Sequence, residues 1–122
     1  MGYMGLDAIG DSDMASDFVS GVMDKIADEC EKEIENEANE YDTPGYVNIA
    51  LFAEAYLMKE SLYGDSKLIK ILKKVLVKLE AKLTKMNNEK DWDNRPGHGK
   101  KMHVKAYERM ISNLKKIIEQ AY

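Results

Sequence analysis

Four aspartates, Asp7, Asp11, Asp13 and Asp17, stand in the opening stretch GYMGLDAIGDSDMASDF. Carboxylates are hard oxygen donors, and Asp13 and Asp17, four residues apart, share a face once a helix has begun, so the pair could hold Mg²⁺ or Ca²⁺. The calcium-loop pattern fails, because Ala15 and Ser16 occupy positions that an EF-hand gives to Asp or Asn and to Gly. The same residues suit a helix start. Asp11, Ser12 or Asp13 can cap free backbone N–H groups, and acids in a first turn match the positive end of the helix dipole. Capping is the preferred reading and a cation the alternative.

Glu54 is the second candidate. In helical projection it falls among Ala50, Leu51, Leu57 and Met58, where an unpaired carboxylate would be costly. It therefore needs a partner: a lysine, a tyrosine hydroxyl, His103, or backbone N–H groups of the N-terminal loop. A carboxylate in packed surroundings can serve as a general acid, and structural networks produce the same environment. Two readings follow. One is a metal-dependent or acid–base enzyme using Asp13, Asp17, Glu54 and His103; the plainer one is a structural polar network of Asp11, Asp13, Asp17, Glu54 and His103. His98 and His103 are five apart and share no helix face, so the His-Glu-x-x-His arrangement is excluded. Cys30, the single cysteine, falls on an apolar stripe and reads as a small buried hydrophobe. No serine or threonine has a base and orienter nearby, so no catalytic residue and no cofactor is assigned, and the metal question stays open.

The elements that must position these groups read as helices. From 14 to 41, Ala15, Phe18, Val19, Val22, Met23, Ile26, Cys30 and Ile34 recur at three- and four-residue steps. Asp42 or Thr43 can cap a second helix over 44–63, with Pro44 in its first turn; it is apolar nearly all round and ends at Gly64. A third, over 66–86 and started by Asp65 or Ser66, sets Leu68, Leu72, Val75, Leu76, Leu79, Leu83 and Met86 against a row of lysines. Residues 87–101, with the sole Trp, form the long break, a functional loop or a connector. A fourth helix, over 101–121, carries Val104, Tyr107, Met110, Ile111, Leu114, Ile117 and Ile118 on one side. No β-type alternation competes. The expected fold is all-α, a single-domain four-helix bundle with the N-terminal loop packed on it.

Charge narrows the function classes. Residues 1–65 hold sixteen Asp/Glu against three Lys, and residues 66–122 hold six against fifteen Lys/Arg, so a net charge of -4 conceals halves of -13 and +9. An acidic face of Asp24, Asp28, Glu31 and Glu35 and a basic face of Lys70, Lys74 and Lys78 are the candidate partner-binding surfaces. Solvated faces that attract each other across the bundle are the plain alternative. Nucleic-acid binding by the lysine face is disfavoured by the acidic total and by the absence of aromatics interleaved with the lysines. One cysteine, no signal-like start and no run of about 20 apolar residues point to a soluble cytoplasmic protein with no membrane association.

The opening also resembles a family pattern. Met1-Gly2 with Gly5, then Asp11-Ser12-Asp13-x-Ala15-x-Asp17-Phe18, resembles the start of the small bacterial and phage family called domain of unknown function 4259. Its members open Met-Gly-x-Trp-Gly and continue Asn/Ser-Asp-x-Ala-x-Asp-Phe/Trp. ALFAEAYL, residues 50–57, is similar to that family's Ala-rich second helix with its glutamate. Met4 stands where the family has Trp, the spacer before Asp11 is one residue longer, and the likeness ends by Gly64. It implies a helical fold, a prokaryotic or phage setting, and a meeting of the N-terminal loop with Glu54; it assigns no reaction.

The sequence therefore leads to a small factor that binds another protein, an inhibitor or immunity-type protein of a phage or mobile element. Self-association through acidic and basic helices is the variant of that expectation.

Overall fold

The computed structural model describes residues 13–36, 43–60, 62–90 and 99–122, with side chains from residue 21 onward. These residues form four helices: α1, Asp13–Ile34; α2, Gly45–Phe52, continued by a π turn, Ala53–Leu57; α3, Lys67–Asn88; and α4, Lys100–Glu119. The architecture is an all-α bundle. α2 and α3 pack together in the middle, α1 lies against both from one side and α4 against both from the other, and among the described residues α1 and α4 do not pack on each other.

The core follows from the apolar stripes. Leu72, Val75 and Leu79 of α3 are wholly buried, together with Ala50 and Ala53 of α2 and Leu114 of α4. Each such leucine or valine contributes about 1.5–3 kcal/mol relative to exposure. The small alanines let α2 sit close to its neighbours, which is why so short an element can occupy a central place.

Local chemistry fixes the ends. Ser66 Oγ accepts from the Ile69 N–H at 3.3 Å and caps α3. At the other end of α3 the Lys100 ammonium donates to the carbonyl oxygens of Asn87 and Glu89, at 3.3 and 2.6 Å, so the first residue of α4 closes the C-terminus of α3. Leu62 and Gly64 pair with the end of the chain: the Tyr122 N–H donates to Leu62 O at 2.9 Å and the Gly64 N–H to Tyr122 O at 2.7 Å.

Several boundaries differ from the sequence reading. α1 stops at Ile34 rather than 41, because the Asn36 N–H turns back to Glu33 O and that carbonyl lies against the backbone of Gly45. The start of α2 has Pro44 in the capping position, with no side-chain cap from Thr43, and the Pro44 carbonyl accepts from Val47 and Asn48. Regular α-helix ends at Phe52 and the π turn at Leu57, short of 63, since Leu62 and Gly64 are engaged by Tyr122. α3 runs two residues past Met86, and α4 covers Lys100–Glu119 rather than 101–121. The N-terminal loop expected to pack on the bundle, with Asp7 and Asp11, lies outside the described residues, as do Trp92 and His98.

Candidate functional site

Glu54 faces α4 from the π turn, with its side chain only 15% exposed. Its donors are neither a lysine, a tyrosine nor His103. Arg109 donates from Nε to Oε2 at 2.9 Å and from Nη2 to Oε1 at 3.2 Å, and Asn113 Nδ2 donates to Oε2 at 2.6 Å. Both carboxylate oxygens are thus taken by one row of α4, and the guanidinium's proton is held more firmly by the carboxylate beside it. This arrangement clamps two helices together. It presents no free carboxylate to a substrate, which weighs against an acid–base role for Glu54.

A second link between the same helices joins Tyr46 and Tyr107. Burial, followed by the contact with Tyr46, pushes the Tyr107 hydroxyl well above the ordinary tyrosine range. His103 lies half-buried near the start of α4. Asp13 and Asp17 fall in the first turns of α1, where side chains are outside the description. Among the described residues no group of three His, Cys, Asp or Glu converges on a cation position.

The candidate partner-binding residues separate into two kinds. Asp28 and Glu31 grip Lys67 of α3, at 2.5 and 3.2 Å, and so belong to the seam between α1 and α3. Lys67 holds the Asp28 carboxyl below the usual range, and the two acids raise Lys67 in turn. Asp24 and Glu35 are exposed on that side of α1, and Lys70, Lys74 and Lys78 are exposed along α3. Of the charged stripes, then, part is spent on attraction between helices.

The opposite edge of α1 carries what the sequence reading missed. Between α1 and α2 runs an open groove of about 560 Å³, floored by Val22, Ile26, Cys30, Ile49 and Phe52 and edged by Lys25, Glu29, Glu33 and Asn48. Asn48 Nδ2 donates to Glu33 Oε1 at 2.9 Å and steadies that edge. Burial, and then the charges of Glu33 and Glu29, push the Cys30 thiol up. α4 packs on the far side of α2, so among the described residues no helix covers this side of α1. Val22 is accordingly 38% exposed although it lies on the apolar stripe.

No family model, curated protein or solved structure matches this chain. The site therefore rests on its own geometry. Beside the groove, Leu51 and Tyr56 of α2 are 43% and 70% exposed, and the Tyr56 ring lies 5.6 Å from that of Phe52. An apolar surface of this kind, edged by charge, is the usual form of a protein-binding face. The signal available in the sequence was the width of the α1 stripe, from Val22 to Met23, which is too broad for one neighbouring helix to cover. Among the described residues no helix is long and apolar enough to cross a membrane.

Proposed function

We propose that this chain is a small protein-binding factor that acts through the face formed by α2 and the exposed edge of α1. The observation that carries the reading is the apolar groove between α1 and α2, open among the described residues, with Glu29 and Glu33 on its rim. Its apolar floor of Val22, Ile26, Ile49 and Phe52 suits the apolar stripe of a helix, and the carboxylates on its rim suit lysine or arginine beside that stripe. The engagement of Glu54 by Arg109 and Asn113 favours binding over acid–base chemistry. The likeness of the N-terminal motif to domain of unknown function 4259 supports a cytoplasmic prokaryotic or phage setting, in which an inhibitor or immunity-type role fits a factor of this size.

The test uses a designed amphipathic peptide of leucine and lysine, titrated into isotope-labelled protein and followed by NMR. Shifts confined to Val22, Ile26, Ile49 and Phe52, and lost in Glu29→Lys/Glu33→Lys, are expected. Absence of binding, or binding centred on the outer face of α3, would overturn the reading.

A further inference from the structure

α3 carries a basic ridge that the bundle does not use. Lys70, Lys73, Lys74, Lys78 and Lys85 are exposed along it, and no ion pair among the described residues engages any of the five. Lys67, at the start of the helix, is the lysine of α3 that Asp28 and Glu31 of α1 take up. Glu80 is the single acid within α3, and it faces Lys115 of α4 at 3.8 Å. Asp65 lies before the first turn, at the Lys67 end, and Glu89 and Lys90, beyond the last turn, offset each other. Asp24, one turn before Asp28 on α1, is exposed, and counting it against the ridge still leaves five positive charges to one negative.

The charge pattern allowed two accounts of these lysines, attraction across the bundle and a partner, and the first accounts for Lys67 alone. Because α1 and α4 do not pack on each other, among the described residues no helix crosses the outer side of α3. Lys70, Lys74 and Lys78 advance about one turn at a time, and from Lys70 to Lys85 the row extends about 22 Å. Val77 and Ala81 between them are small and exposed, so nothing bulky holds a ligand away from the ammonium groups. α3 contains no arginine and no aromatic residue. Lysines are point charges without the planar fork that grips one carboxylate, and a long row of them suits a regular line of negative charge better than the scattered charges of a folded protein. A nucleic-acid duplex carries one phosphate charge per about 1.7 Å of its axis, so each lysine of the row finds a phosphate within reach. The lack of aromatics removes the stacking on which single strands depend and leaves backbone contact untouched. The acidic total belongs to residues 1–65, at -13, whereas residues 66–122 hold +9. We propose that the outer ridge of α3 binds the phosphate backbone of double-stranded nucleic acid without reading its sequence. It is a second binding surface, separate from the groove between α1 and α2.

Fluorescence anisotropy of a short labelled duplex of mixed sequence, titrated with the full chain, tests this. With about four lysines on phosphates, affinity should fall about a hundredfold between roughly 50 and 200 mM salt. Lys74→Gln/Lys78→Gln should weaken binding about tenfold or more at low salt and lower the salt slope by about two contacts. Lys101→Gln/Lys105→Gln removes the same charge from α4 and should leave affinity within about threefold of wild type, because charges off the ridge are screened. Circular dichroism of each variant confirms that it is folded. No anisotropy change at low salt, equal losses in the two lysine pairs, or a single strand of the same length bound more tightly than the duplex would overturn the proposal. Polyglutamate that displaces the duplex as well as unlabelled duplex does would overturn it too, since the ridge would then face an acidic protein.

Discussion

Gly45 at the start of α2 lies so close to Glu33 near the end of α1 that a methyl group added to its Cα would overlap the Glu33 carbonyl oxygen. The obstacle is backbone, which has no rotamer by which to yield. Gly45→Ala should therefore push α2 away from α1 and open the groove they form. A loss of about 1–3 kcal/mol, the usual cost of overpacking, is expected in urea unfolding. An alanine variant as stable as wild type would show that the two helix ends do not meet this closely.

The clamp between Glu54 and α4 gives a graded set. Glu54→Ala leaves the half-buried Asn113 amide without its acceptor and should cost about 1–3 kcal/mol. The coupling of Glu54 with Arg109 should be smaller, on the order of 0.5–1 kcal/mol, because the guanidinium is more than half exposed and water screens it. A double-mutant cycle on Glu54→Ala and Arg109→Met separates the two contributions.

The Asp28–Lys67–Glu31 cluster predicts a pH window. Lys67 depresses the Asp28 carboxyl, so that contribution is present above the unfolded aspartate value and disappears as pH falls through the lower folded value. Lys67 is itself raised, so its contribution is complete below the unfolded lysine value and is lost as pH rises through the folded one. Attraction between α1 and α3 thus persists across neutral pH and fades at both ends. In Lys67→Met, the Asp28 side-chain carbonyl resonance should titrate at higher pH than in wild type, and an unmoved titration would argue against the ion pair.

Cys30 offers a chemical reading of the groove. Its thiol is pushed up by burial and by Glu33 and Glu29, so little thiolate is present at mildly alkaline pH and alkylation should be slow relative to a free thiol. Glu29→Gln/Glu33→Gln should accelerate it several-fold by removing the charge contribution. Filling the groove should slow it further. A rate equal to that of glutathione in the wild type would contradict the burial of Cys30.

What the sequence made legible was the periodic part. Leu68, Leu72, Val75, Leu79 and Met86 are buried on the face their spacing marks, Leu76 and Leu83 of that face are only half-buried, and Ser66 caps α3 as its chemistry allows. Glu54 was correctly marked as a carboxylate that must be satisfied. Its partners were out of reach, because Arg109 and Asn113 lie 55 and 59 residues further along the chain and nothing local announces them. The early end of α2 was hidden for the same reason: the group that engages Leu62 and Gly64 is Tyr122, at the far end of the chain. The groove was hidden because periodicity shows which face is apolar, whereas which neighbour covers that face is decided by packing.

The π turn at Ala53–Leu57 accommodates one residue more than an α-helical turn of the same height. An extra residue advances the phase of everything after it by about 100°. Asn48 and Phe52, before the shift, turn towards α1, and Glu54, within it, is delivered to α4. Leu57 at the end of the turn is buried and Tyr56 beside it exposed, so the winding of these five residues decides which of the two enters the core.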